Sequence, residues 1–550
     1  MMNGYDLKQA VISGSNNICS KKLMINDLNI FPVPDGDTGT NMSMTTTAAV
    51  NALKTVDDIN AGVVAKAIAS AMLRGARGNS GVILSIIFRG FADGLTDKED
   101  VNGKDLVEAL GLGVDGAYKA VMKPTEGTIL TVARVAYEGG LKVCEKNDDV
   151  AYVWGEICKS ADEALQKTPE YLPVLKKAGV VDAGGMGLLS IFEGMLKYFV
   201  EGEICEYAES SSQEELDNFT NTVAEFDEVI NFTYCTEFIV GRDEDNDKDP
   251  NELRMFLETI GDCVVLVNDD EIIKIHVHTN QPGDALKRGL EYGQLLTVKV
   301  ENMVEQHKKA QADADKAPKK ASKFEPAEPV DEIGFVAVAA GEGLTQLFKD
   351  LGCANVVSGG QSMNPSTDDI YEAVMATPAK TVVVFPNNKN IIMAAEQTVP
   401  MVEDRKVIIV PTRTIPQGMT ALLSYDPELS AESNKDMMLD AARNVATGQV
   451  TFAARNSEFG HHKIKEGEII ALENGKLTIT EKSPVKAVVK LAKSMIKHDT
   501  AFVTLIYGCD ISEQDAQEAY EIIEDKFGSK VDVSLVNGGQ PIYYFMLSVE

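Results

Sequence analysis

Apolar residues recur near a period of about 3.6 through the first part of the chain. Val63, Ala67, Ala71 and Met72 form one such stripe, and Leu106, Ala109, Leu110 and Val114 form another. These patterns predict a mostly helical region over residues 1–205. Glycine-rich polar turns punctuate it at Arg74–Gly81, Glu126–Thr128 and Asp182–Gly187. Between residues 229 and 308 the period falls to two. Phe232–Val240 alternates β-branched and aromatic residues, a helix pattern covers Glu252–Ile260, and Cys263–Val267 and Ile272–His278 read as strands. That order predicts a small α+β domain. From residue 331 to 550, short apolar runs (Gly334–Ala340, Thr381–Phe385, Lys406–Val410, Thr500–Tyr507) alternate with helical patterns. Parallel strands with crossover helices produce this texture. Val356-Val357-Ser358-Gly359-Gly360-Gln361 is echoed by Leu535-Val536-Asn537-Gly538-Gly539-Gln540, as two related lobes would produce. An acidic connector at 206–228 and an Ala-, Lys- and Pro-rich linker at 309–330 separate the three regions.

Composition narrows the class. A chain of 550 residues exceeds what one core supports, so several domains are expected. The formal charge of −32 argues against a general nucleic-acid surface. No apolar run approaches the roughly 18 residues that span a bilayer, and Asp6, Lys8 and Asn16 break any signal-peptide order. The eight cysteines include no Cys-x-x-Cys pair, which fits reduced thiols in a cytoplasmic protein.

The stretch Pro34-Asp35-Gly36-Asp37-Thr38-Gly39-Thr40-Asn41-Met42 sets two carboxylates around a glycine and runs into an Ala-rich helix pattern, with Thr40 or Asn41 as the expected N-cap. A turn presenting Asp35 and Asp37 beside a helix start suits a hard divalent cation and the phosphates it carries. An ordinary capped Asp-Gly turn has the same sequence. Arg77-Gly78-Asn79-Ser80-Gly81 offers N–H groups and a hydroxyl at another helix start, Glu126-Gly127-Thr128 could do similar work, and Asp182-Ala183-Gly184-Gly185 lets a flat ring approach the backbone. Several such turns in one helical region favour a nucleotide site over isolated structural turns. There is no Walker A motif and no kinase glycine-rich loop. In the middle region, His276 and His278 lie two apart on one strand pattern and Cys235 on another. They form either an N₂S zinc set or polar residues on a solvated strand face with a core cysteine.

The turns at Asp35, Ser80 and Asp182 together resemble the nucleotide-binding L domain of the dihydroxyacetone kinase family. That resemblance implies an all-α barrel of antiparallel helices binding ATP with Mg²⁺ ions, two of them expected. It makes Asp35 and Asp37 catalytic metal ligands. Thr38, Thr40, Asn41, Asn79, Ser80, Gly81, Gly127 and Thr128 fall on the phosphate side, and Asp182, Gly184 and Gly185 on the nucleoside side. Where that family carries a further Asp, this chain has Asn29 and Ile30, so Asn29 supplies at most an uncharged oxygen. With His276-Val277-His278-Thr279-Asn280-Gln281-Pro282-Gly283 and the α/β C-terminal region, the whole chain is similar to the kinase component of bacterial fatty acid kinase. The implied reaction is phosphorylation of a fatty acid carboxylate presented by a separate DegV-type carrier. The implied accessories are a structural Zn²⁺ on Cys235, His276 and His278, a homodimer, and a two-lobed DegV-like C-terminal domain that binds the partner, with Arg413 as a candidate contact. The rival readings are a dihydroxyacetone kinase-type enzyme acting on a small hydroxyl or ketone, and a non-enzymatic nucleotide sensor.

Overall fold

The computed structural model describes residues 1–29, 36–56, 59–121, 123–206, 234–242, 248–268, 272–302, 324–360, 363–454, 457–459 and 462–550. Two compact units emerge, one formed by residues 1–207 together with 324–550, the other by 208–323. Among the described residues no helix is long and apolar enough to cross a membrane.

The N-terminal part of the first unit is all helix: α1 (Gly4–Ser20), α2 (Lys22–Asp27), α3 (Thr38–Leu53), α4 (Ala61–Gly75), α5 (Gly78–Gly94), α6 (Gly103–Ala120), α7 (Ile129–Val143), α8 (Val150–Tyr171), α9 (Pro173–Ala178) and α10 (Ala183–Glu201). Asn side chains cap several starts, and Asn3 with Asp6 and Asn102 with Asp105 form full capping boxes. Trp154, the chain's single tryptophan, anchors the interior edge-on against Phe192 and Phe199, and its Nε1 donates to the Phe192 carbonyl at 3.0 Å. The apolar stripe of α6 is buried as its periodicity predicts. That of α4 is rotated: Val64, Ala65, Ile68, Ala69 and Met72 face inward, while Val63 is 48% exposed. Alanine-rich helices leave the phase of their stripe weakly marked, so the one-residue error has a simple cause.

The C-terminal part has two lobes. The first is a parallel sheet in the order β6-β5-β7-β8, built from β5 (Asp331–Ala339), β6 (Asn355–Ser358), β7 (Ala379–Phe385) and β8 (Lys406–Ile409). The second sheet has the order β13-β12-β9-β16-β14-β15, from β9 (Ala446–Phe452), β12 (Ile469–Glu473), β13 (Lys476–Glu481), β14 (Phe502–Tyr507), β15 (Asp532–Asn537) and β16 (Phe545–Val549). Between β9 and β12 the chain makes a short antiparallel pair, β10 (Ser457–Phe459) with β11 (His462–Ile464). Here the expectation of parallel strands needs correction, because in the second sheet only β14 and β15 pair in parallel. The Asn474-Gly475 turn joining β12 to β13 has φ of +49° and +77°, the left-handed pair of a tight antiparallel hairpin. The lobes interlock where the Leu344 N–H donates to the Gly538 carbonyl at 3.0 Å, within the second Gly-Gly-Gln.

The helical part and the first lobe share one hydrophobic core. Val336, Val338, Val382 and Val384, on one face of the parallel sheet, join Ile370, Val374 and Ile391 in the same cluster as the interior of the helical part. The opposite sheet face (Phe335, Ala337, Val383, Phe385) packs with the second lobe instead.

The second unit is an antiparallel sheet in the order β2-β3-β1-β4, with β1 (Tyr234–Arg242), β2 (Gly261–Asn268), β3 (Ile272–Thr279) and β4 (Gly293–Asn302), and helices at Pro250–Ile260 and Pro282–Gly289. Phe238, Val240, Ile273, Ile275 and Val277 pack against Leu253, Leu257 and Ala285. The last strand and second helix, Gln281 to Asn302, lie beyond the strand–helix–strand–strand order read from the sequence.

Candidate functional site

Among the described residues, four helices of the N-terminal part begin at one cavity of about 350 Å³. Thr38 comes from the first turn of α3, Asn79 and Ser80 from α5, Thr128 and Ile129 from the start of α7, and Ala183 and Gly184 from α10. Helix starts carry unsatisfied N–H groups and the positive end of the helix dipole, so this convergence favours a polyanion. Asp37, Asp182, Asn29 and Asn41 complete the polar lining, and Leu28, Ile83 and Leu175 supply apolar walls. Those apolar residues carry no motif that a sequence reading could catch.

Asp37 is the N-cap residue of α3, but its side chain makes no capping hydrogen bond. The helix therefore starts at Thr38 instead of after a Thr40 or Asn41 cap. Thr40 is engaged elsewhere: the Asn26 side chain accepts from its N–H at 3.1 Å and donates to its hydroxyl at 2.9 Å. Thr38 pairs with Asn29, whose Nδ2 donates to the Thr38 hydroxyl at 3.2 Å. Asn79 presents a buried Oδ1 with no hydrogen-bond partner. A carboxylate, amide oxygens and hydroxyls are hard donors, which fits Mg²⁺ and its phosphates and suits soft metals poorly. Asp35 lies outside the described residues.

Three glycines expected at the site do other work. A Cβ on Gly81 would stand 2.4 Å from the Thr45 hydroxyl, so this glycine sets the approach of α5 to α3. The Gly127 N–H donates to the Thr131 hydroxyl at 2.8 Å. Its neighbour Glu126 accepts from Tyr118, Thr131 and Arg134, which pins the loop ahead of Thr128. Gly185 gives its N–H to Asp182 at 2.7 Å, making Asp182 the cap of α10.

Burial pushes the Asp182 carboxyl up to about 6, while N–H groups of Gly185, Ile129 and Gly184 pull the other way. A carboxyl that binds its proton more tightly when folded favours the fold at low pH. That advantage is complete below about pH 4 and lost as pH rises through about 6. Asp182→Asn is expected to flatten the stability profile between pH 4 and 6, where the wild type loses on the order of 3 kcal/mol. Melting curves across that range check it, and an unchanged slope in the variant would assign the titration to another group.

Arg413 lies on an exposed loop of the C-terminal part, its N–H bonded to Gln417 Oε1 at 2.9 Å. With Lys389 and Arg443 it lines a cleft of about 590 Å³ between the two lobes. Asn388 and Lys389 line this cleft, and the next residue, Asn390, lines the cavity at the helix starts.

In the second unit, the side chains of Cys235, His276 and His278 lie outside the described residues. The backbone register sets Cys235 opposite His278 and Glu237 opposite His276. Among the described residues no three His, Cys, Asp or Glu side chains gather as a metal site.

Family models match along most of the chain: the DAK2 domain over residues 32–197, the middle domain of the FakA-like fatty acid kinase family over 231–310, and the C-terminal domain of the same family over 334–550. Protein YloV of Bacillus subtilis (strain 168) is 38% identical over 565 residues, an alignment covering 100% of this chain and 99% of YloV. The chain belongs to the FakA-like fatty acid kinase family. Among solved structures, a DegV family protein from Corynebacterium glutamicum matches this family member with a TM-score of 0.31 and 13% identity, over 40% of this chain and 97% of that one. The dihydroxyacetone kinase from C. freundii, in complex with AMP-PNP and Mg²⁺, matches with a TM-score of 0.28 and 20% identity, over 34% and 33%. As a FakA-like chain with a DAK2 domain, it is a member of a kinase family.

Proposed function

We propose that this chain is an ATP- and Mg²⁺-dependent phosphotransferase that phosphorylates the carboxylate of a fatty acid held by a separate DegV-type carrier protein. The convergence of four helix starts on a cavity with hard oxygen donors carries the reading. N–H groups at the starts of α3 and α5 orient the nucleotide's phosphates. Asp37, with Asp35 and the uncharged oxygens of Asn29 and Asn79, would hold Mg²⁺, which screens phosphate charge in the transfer. The apolar wall at Leu28, Ile83 and Leu175 suits the nucleoside end, near Asp182 and Gly184. The acceptor carboxylate, with a pKa near 4.3, is already ionised at neutral pH, so its oxygen attacks the γ-phosphorus with no general base. The bond to the β-phosphate oxygen breaks, and ADP and acyl phosphate leave. Positioning and charge neutralisation are then the protein's whole contribution. The carrier docks on the C-terminal part, at the cleft lined by Arg413, Lys389 and Arg443.

Incubation with ATP, Mg²⁺ and a fatty-acid-loaded DegV-type protein, followed by hydroxylamine, is expected to give an acyl hydroxamate. ATP turnover on dihydroxyacetone with no hydroxamate would overturn the proposal in favour of a small-substrate kinase. Nucleotide binding with no transfer to either acceptor would favour a sensor.

A zinc ion on Cys235, His276 and His278 is part of the same proposal, supported by the register that sets Cys235 opposite His278. About one zinc per chain is expected by elemental analysis, falling in His276→Ala; equal zinc in both would discard His276 as a ligand. The homodimer is tested by the solution mass of the same preparations.

A further inference from the structure

The residues nearest Asp37 do not all come from the helical part. Asn364, on the loop before the helix Thr367–Met375, is 2% exposed, and its Nδ2 donates to Asp37 Oδ2 at 2.5 Å. The same amide reaches Asn41 Oδ1 at 3.4 Å. The loop is fixed from behind: Arg77 Nη1 donates to the Asn364 carbonyl at 2.8 Å, and the Thr367 N–H to the Ala76 carbonyl at 3.1 Å. Arg77 also lies 3.6 Å from Asp369, and burial holds its guanidinium below the usual range. The Asn364 Oδ1 is buried with no hydrogen-bond partner, as is the Oδ1 of Asn79, a residue of the cavity lining. Buried acceptors without partners are costly, so each of these oxygens calls for a donor or cation.

We propose that the C-terminal part completes the nucleotide site, with Asn364 as the positioning residue for Asp37 and Asn390 as part of the cavity wall. The inference rests on the phosphotransferase reading, in which Asp37 holds Mg²⁺. An amide suits the role chemically. It fixes one carboxylate oxygen through an N–H while leaving the negative charge intact, whereas a lysine or arginine would neutralise that charge and an aspartate would repel it. Hydrogen bonds of this kind orient metal ligands, and their loss typically weakens metal binding 10- to 100-fold. Asn390 adds a second connection, because its neighbours Asn388 and Lys389 line the cleft between the lobes. The segment is held rigidly at Asn387, whose φ is +55° and whose side chain bonds to Val338 and Thr412.

The test is the Mg²⁺ dependence of binding of a fluorescent ATP analogue to the full chain. Asn364→Ala is expected to raise the half-saturating Mg²⁺ concentration about 10- to 100-fold. Asn364→Ser, smaller but still a donor, falls between it and the wild type, and serves if the alanine variant does not fold. Asp368→Asn breaks the exposed Arg74–Asp368 pair at the same junction without touching Asp37, and should leave the Mg²⁺ requirement unchanged. An unshifted requirement in both Asn364 variants, or an equal shift in Asp368→Asn, overturns the positioning role. A wild-type chain that binds the analogue without Mg²⁺ dependence overturns instead the reading on which it rests.

Discussion

Asp37→Asn is expected to lower acyl-phosphate formation by about 10³-fold, the scale lost when one preorganised electrostatic group is removed from a reacting phosphate or carbonyl. The substitution isolates charge from shape. The Asp37 side chain makes no capping hydrogen bond to α3, so the substitution removes no cap. An asparagine can still accept from the Asn364 amide, which keeps the junction between the two parts. What disappears is the negative charge that a divalent cation needs. The hydroxamate assay and a thermal melt, run side by side, check both halves: activity should collapse while the melting temperature moves by no more than a few degrees. Full activity in Asp37→Asn would remove this residue from the metal site and return the turn to an ordinary helix start.

The second large effect is expected from Gly78→Ala. Gly78 opens α5 at φ +57°, a region that costs an L-residue roughly 1–2 kcal/mol. Its Cβ would lie 2.4 Å from Asn41 Nδ2 and 3.2 Å from Asn364 Nδ2, so two amides at the centre of the site must move. Strain and crowding together put the cost at about 2–4 kcal/mol. The melting temperature should fall by several degrees, and Mg²⁺-dependent nucleotide binding should weaken with it. Gly179→Ala provides the comparison, since φ there is +68° but nothing lies within 4 Å of the added carbon. It should show the backbone cost alone. Equal losses in both variants would mean that crowding of Asn41 and Asn364 contributes nothing.

Local pattern carried much of this architecture. The helical region, the strand texture of the middle and the parallel first lobe all follow from periodicity, because each element buries one regular face. The second lobe departs from that pattern: β14 and β15, a parallel pair, resemble the strands of the first lobe, whereas its antiparallel majority is set by hairpins such as Asn474-Gly475. At the site, the turns carrying Asp37, Asn79, Ser80, Thr128 and Asp182 were legible as polar breaks at helix starts, and the structure places all five residues on one cavity. Thr40 and Gly185 share those turns but bond to Asn26 and Asp182, a distinction set by which way a first helical turn faces. Neither the contact of Asn364 with Asp37 nor the place of Asn390 in the cavity wall follows from any local rule. In sequence they are polar loop residues after strands, and only the shared core of the helical part and the first lobe brings them there.

That shared core also orders events during synthesis. Asp37 and Asn364 are separated by 327 residues, which at roughly 5–20 residues per second occupy roughly 15–65 s of translation. The helical part and the whole middle unit are made before the amide that grips Asp37 exists. From the start of α10 at Ala183 to Asn364, about a third of its 550 residues, a nascent chain therefore holds all four helix starts without the group that fixes the carboxylate, and gains it only when the first lobe closes onto α4 and α5.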